Sequence, residues 1–567
     1  MGGSEAAGAL GAATPFAYER PPRYRRWVAG FVLAWAVCLG IGVFGVVNRS
    51  PQYARRNTAT ASECPLPGHP AVHPGRGLGE VPPLPPSGFD STTAMVWWLL
   101  ASTAASLPLG GLLVWLYRAH AEATTHAGLL IQAGIYAATG TGLLVVGGLG
   151  TSDALVPGAV LLIIGALLAG AWHYWKQQIQ LTARLLRVSA NGLAANLGLV
   201  PLALGLVFAA ACAIGPLTAL AFAVLQNGEL GPNPARGGSR ECVDALSGNA
   251  VPCCVFNTAG WAAAYVALPW FVTLAWTSLL ITQARVFIVS GTIAQWYFAP
   301  GGTSNRGAML RSVRHAAGPA LGTLCFGAAV VTMARIVRGM AENLRRRGVL
   351  GLLLSIPLRW LASLVEYLTK YAVIMAAISG EALVPAGRRA VDLLARNCLE
   401  AITTTIWFAP LSIVFTCLTL AAAWGCCNAG LFSLLVLAHG AGGEPESWAM
   451  VTTVGWVSGA LAMPTLFFLG GIVLNVLDAV FLCWALDRDA STVSAQKEVY
   501  DAFCALPLKP AAGAVVEGPD GRVAYGAELA VRPAAPAVPA APLGSPSADQ
   551  QQRQPLLAGR DPSVDLA

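Results

Sequence analysis

The sequence predicts an all-α polytopic integral membrane protein with about ten transmembrane helices. Two observations predict it. Of 567 residues, 55% are hydrophobic and only 11% charged, far below the roughly 25% charge of soluble domains. The apolar residues also come in blocks, each long enough to cross a hydrocarbon core that takes about 20 helical residues. Such blocks must be helices, because lipid-exposed backbone has to satisfy its own hydrogen bonds. Alternating short strands of a transmembrane barrel are not seen. The net charge of +7 sits between the apolar blocks and in the first 26 residues, as topology signals do. That placement argues against nucleic-acid binding.

Residues 1–26 are polar and end in Arg20, Arg23, Arg25 and Arg26. They read as a cytosolic N-terminal segment before a first span at Trp27–Val47, and the spanning domain runs over 27–489. Residues 48–92 are a proline-rich first outer loop. Asn48-Arg49-Ser50 fits a glycosylation sequon there, although Pro51 follows and the membrane abuts it. Further spans are expected at 93–117, 127–149, 153–174, 194–224 and 258–284. The basic stretch with Lys176, Arg184 and Arg187 reads as an amphipathic interfacial helix. Residues 225–257 form a second outer loop carrying Cys242, Cys253 and Cys254. With Cys64 of the first loop they are candidates for a disulfide, and four cysteines allow three full pairings.

The apolar segment 286–300 is short of a full span, and basic residues flank both sides of the next span, 316–337. This region is therefore expected either to place one basic loop outside or to contain a re-entrant or surface segment. Spans at 349–379, 402–438 and 451–486 complete the set, and an even count puts both termini in the cytosol. Residues 490–567 read as a cytosolic tail, disordered from about Pro507.

Intramembrane ionisable and aromatic residues are the candidate site. Asp478 lies well inside the last span and Glu366 inside the eighth; either could balance a cation or carry a coupled proton. The competing structural readings are a partner cation on another helix for Asp478, and Lys370 at i+4 for Glu366. Ring faces attract cations that lack N–H donors. Trp296 and Tyr297, beside Gln295, lead on this ground, followed by Trp270, Trp276 and Tyr371, against the common use of Trp and Tyr as interfacial belts. No P-loop, zinc helix or nucleophile elbow occurs, so neither an enzyme nor a cofactor or metal site is expected.

Two stretches then point to one family: GTIAQWYFAP (Gly291–Pro300) followed by LGTLCFG (Leu321–Gly327), and VLNVLDAVFLCWALDRD (Val473–Asp489). Between them KYAVIMAAISG (Lys370–Gly380) and LLARNCLEA (Leu393–Ala401) keep the same order. The chain resembles the choline transporter-like proteins over 93–505. It departs from them at Tyr371-Ala372-Val373, where relatives carry Asn-Ala-Tyr, and at Leu383–Gly387. The resemblance implies a ten-span carrier for choline or an ethanolamine-like amine, a small cationic substrate, in the plasma membrane or an endomembrane. A non-transporting membrane scaffold and a lipid-metabolism membrane protein are the alternative readings.

Overall fold

The computed structural model describes residues 16–55, 91–148, 154–233, 254–299, 307–346, 348–397, 408–438, 445–489 and 499, with two short segments at 516–517 and 523–524. Among them nine helical stretches are long and apolar enough to cross a membrane. One of the nine, Thr93–Gly148, is far too long for a single crossing. It comprises α3 (Ser91–Ala105) and α4 (Leu107–Gly148), and α4 breaks at His120, whose φ of −135° and ψ of 43° leave the helical region. The expected spans at 93–117 and 127–149 lie on either side of that break. Pro108, which has no N–H to give the preceding turn, accounts for the earlier interruption between α3 and α4.

The remaining helices follow in order. They are α1 (Arg25–Val47), the short α2 (Gln52–Arg55), α5 (Leu155–Tyr174), α6 (Lys176–Ala195), α7 (Leu199–Val224) and α8 (Gly260–Tyr265). A π turn at Val266–Trp270 leads from α8 into α9 (Phe271–Tyr297). Then come α10 (Ala308–Ala317), α11 (Leu321–Arg345), α12 (Val349–Ser379), α13 (Leu383–Asn397), α14 (Ala409–Ala438) and α15 (Pro445–Asp489). Pro269 removes one ladder bond, which the wider π turn accommodates.

Lipid-facing and protein-facing helices separate by composition. On α5 and α7, large apolar side chains such as Ile163 and Phe208 are exposed, which suits a hydrocarbon solvent. The second half of α15 is different: from Ile472 to Leu486 nearly every apolar side chain is buried. A helix apolar all round belongs in the centre of a bundle. Small residues let neighbours approach closely. A Cβ at Gly140 would lie 2.8 Å from the Gly158 carbonyl oxygen, and one at Gly425 2.6 Å from that of Gly455, so α4–α5 and α14–α15 meet backbone to backbone.

Two expectations change. Segment 286–300 is not re-entrant: through Tyr297 it is the end of α9, which continues unbroken from Phe271. Its length exceeds one crossing because its last turns are buried in protein, with Val286 to Ala294 enclosed on all sides. Second, α6 is amphipathic as expected, but its apolar face is covered by α4 and α15 rather than left for lipid; Leu185, Leu186 and Leu193 are fully buried. Beyond α7, β1 (Gly228–Pro232) pairs antiparallel with β2 (Cys254–Thr258), Leu230 opposite Phe256. The short α2, just after α1, touches this strand pair. The Leu230 amide donates to Gln52 Oε1 at 3.1 Å and Tyr53 packs edge-on against Phe256. The C-terminal end of α1 and the strand pair therefore lie at the same end of the bundle. The Asn48 side-chain amide donates to the Phe44 carbonyl at the end of α1.

Cys254 is disulfide-bonded, and its partner lies outside the described residues, as do Cys64, Cys242 and Cys253. Residues 510–567 form a separate unit, in which β3 (Val516–Glu517) pairs with β4 (Val523–Ala524). The rest of the tail expected to be disordered is outside the described residues.

Candidate functional site

The carboxylate of Asp478 organises the candidate site. It projects from the buried half of α15 towards α12, and only 8% of the residue is exposed. Its Oδ2 is paired with the Lys370 ammonium. Its Oδ1 accepts a hydrogen bond of 3.0 Å from the buried hydroxyl of Tyr371. The Tyr371 ring is 4.8 Å from that of Tyr367, one turn earlier on α12. Two carboxylate oxygens, one ammonium and two phenol rings are thereby gathered between two helices. An isolated carboxylate would not be tolerated at this depth, and pairing with hydrogen bonding is what permits it.

Glu366 lies on the same helix but faces another way. Its carboxylate is 3.5 Å from both Arg335 Nε and Arg338 Nη2 of α11. Its neighbour at i+4, Lys370, is committed to Asp478 instead. The arginines are substantially exposed, so this is a surface-facing triad of modest strength.

The Trp296 group forms a separate layer. Tyr297 is buried beside Asp487, nine residues beyond Asp478 on α15, which is about 13 Å of helix. Gln295 is fully engaged. Its amide nitrogen donates to the Gly291 and Ala308 carbonyls and to Ser312 Oγ, and its oxygen accepts from Arg311 Nε at 2.8 Å. These bonds fasten α10 to the end of α9. The Trp296 ring lies against Gly192 of α6. Trp276 donates to the Cys325 carbonyl at 3.0 Å and packs edge-on against Trp27 and Phe31. Trp270 packs on the Cys38–Leu217–Tyr265 cluster between α1, α7 and α8, its buried indole N–H finding no acceptor among the described residues. Of the nominated residues on different helices, Asp478 and Tyr371 are brought into hydrogen-bond contact.

Sequence reasoning missed two participants. Lys370 was visible only as a local neighbour of Glu366, and Tyr367 carried no separate signal. The N-terminal arginines, read as topology markers, also include one with a specific seat. Arg20 donates to the Ala376 and Ala377 carbonyls at 3.1 and 2.6 Å, at the end of α12. Burial lowers its pKa to about 10, so it remains cationic near neutrality.

A search of curated proteins gives no match to this chain. A family model described as "plasma-membrane choline transporter" matches residues 159–489, more than half of the chain. That region includes α12, α15 and the whole Lys370–Asp478–Tyr371 cluster. The chain is an integral membrane protein and belongs to the plasma-membrane choline transporter family.

Proposed function

We propose that this protein carries choline or a related small amine across the plasma membrane, without chemical conversion, and that Asp478 is the counter-charge for the substrate. The observation that carries the reading is the seating of Lys370. A buried carboxylate holds an internal ammonium beside two tyrosine rings, which is the environment an organic ammonium needs. The substrate's cation replaces Lys370 at Asp478, and the Tyr367 and Tyr371 rings supply the faces that a quaternary ammonium cannot obtain from hydrogen bonds. Alternating exposure of this cluster to the two sides completes the cycle.

Uptake of labelled choline by the purified protein in liposomes tests this, with unlabelled ethanolamine as competitor and with and without a pH gradient. Saturable uptake that Asp478→Asn abolishes supports the reading. Normal uptake by a folded, inserted Asp478→Asn protein removes Asp478 from the role.

A further inference from the structure

The segment Phe16–Tyr24 precedes α1 and has no regular secondary structure, yet it is stitched to the bundle. The Ala17 amide donates to the Ile378 carbonyl at 3.0 Å. The Arg20 guanidinium caps the Ala376 and Ala377 carbonyls, while its Nε donates to the Ala17 carbonyl. Three successive carbonyls in the last turn of α12, where the helix dipole is negative, thus take donors from this one segment. Close by, the chain passes so near α11 that a Cβ on Gly322 would sit 2.2 Å from the Arg23 carbonyl oxygen. Tyr24 closes the segment with a φ of 57°, a left-handed conformation that a bulky residue adopts only under constraint. Its ring is held against Phe326 at 5.0 Å.

The seat of Arg20 has the features of an organic-cation site. The guanidinium carbon is 5.5 Å from the Phe287 ring centre and 5.2 Å from that of Phe16. No described carboxylate pairs with it. Glu381, which lines the same cavity, is instead bound to Arg389 at 3.0 Å. Ring faces and helix-end carbonyls therefore hold the charge. The space left beside Arg20, Phe287, Thr323, Ala376 and Gly380 is only about 10 Å³, so the side chain fills its own site. Ala376 is five residues beyond Tyr371 on the same helix, about 8 Å along its axis. The site thus lies next to the Lys370–Asp478 cluster, on the side of the N-terminus.

The geometry points to Phe16–Arg23 as a tethered plug: Arg20 occupies a second cation subsite, formed by Phe287 and the Ala376 and Ala377 carbonyls, which an organic cation takes when the segment lifts away. Because the carbonyls accept hydrogen bonds, this subsite favours cations bearing N–H groups, guanidinium and ethanolamine-like amines, over quaternary ones. That this cation is one in transit rests on the carrier reading above; the subsite itself does not.

The test uses the full-length protein in liposomes, comparing the parent with Arg20→Ala. The first readout is amide hydrogen exchange over residues 16–24, which needs no transport. In Arg20→Ala, exchange at Ala17 rises about tenfold with loss of the charge-assisted bonds. Millimolar guanidinium, refilling the emptied seat, slows it again, while tetramethylammonium does so less. Exchange equal to the parent's, or no response to guanidinium, overturns the subsite. The second readout is choline uptake, which is faster in Arg20→Ala and falls towards the parent rate with added guanidinium. Uptake in the variant equal to or below the parent's, from protein of unchanged thermal stability, overturns the plug. If the parent shows no uptake at all, the carrier reading fails and the exchange readout still decides the subsite.

Discussion

Lys370 and Asp478 form an ion pair between α12 and α15, and Tyr371 donates to the carboxylate's other oxygen at 3.0 Å. Removing one partner should cost more than removing both. Lys370→Met leaves the carboxylate with only a phenol, and should lower stability by about 2 kcal/mol. This is less than a fully enclosed pair would lose, because the Lys370 side chain is 35% exposed. The double variant Lys370→Met/Asp478→Asn should recover most of the loss. Thermal unfolding in detergent gives the coupling, and strictly additive effects would show that the two do not act as a pair.

Tyr371→Phe retains the ring and deletes the donor to Asp478. Its expected effect is a stability loss of roughly 1.5 kcal/mol and a higher KM for amine uptake with little change in kcat. Tyr371→Leu also removes the ring face and should raise KM further. Equal KM values for the two variants would mean that the ring contributes nothing to the cation.

Gln295→Ala should act through structure. It leaves Arg311 without its acceptor and loosens α10 from α9, at about 1–3 kcal/mol. The unfolding temperature should fall while KM in the folded protein stays unchanged. A changed KM at preserved stability would instead put Gln295 in contact with substrate.

His315 on α10 should make the docked N-terminal segment sensitive to acid. It is hydrogen-bonded to the Tyr18 backbone, and its pKa is lowered from 6.5, first by burial and then by the nearby Arg20 and Arg311. A histidine with a lowered folded-state pKa contributes stability that is fully present above 6.5 and lost as pH falls through the lowered value. Below that point a third cation would join the two arginines. Trypsin cleavage within 16–26 should therefore accelerate between pH 7 and pH 5, and His315→Gln should flatten the dependence. An identical pH profile in the variant would exclude His315 as its source.

Gly158→Val tests the small-residue seam. A Cβ there lies 3.0 Å from the Gly140 carbonyl oxygen and the Leu144 amide, and backbone cannot yield cheaply, so a loss of about 1–3 kcal/mol is expected. Gly170→Val on the same helix meets nothing within 4 Å and serves as the neutral control in the same unfolding measurement.

Much of the fold was legible in the sequence for a simple reason. In lipid, a run of about 20 apolar residues has little alternative to a helix. The first span, the break near His120 and the last four spans all follow from it. The segment 286–300 was misread because hydropathy measures only whether a residue avoids water. Protein and lipid satisfy that equally, so the end of α9 looked like a truncated span when it was a buried extension. The same ambiguity hid the partner of α6, whose apolar stripe fits a membrane surface or another helix alike.

The sequence by itself determined that this chain spans the membrane as a helical bundle, that its last span carries an isolated acid, and that its motifs follow the order of one transporter family. These properties are local, set by composition along a single helix or by residue order. Only the tertiary structure decided which charges neutralise one another. Lys370 lies one turn from Glu366 and more than a hundred residues from Asp478, yet it pairs with the distant acid. The docking of Arg20 on the end of α12 is likewise a long-range choice. A buried ion takes the partner that packing brings within reach, and that depends on which helix faces lie together rather than on spacing along the chain.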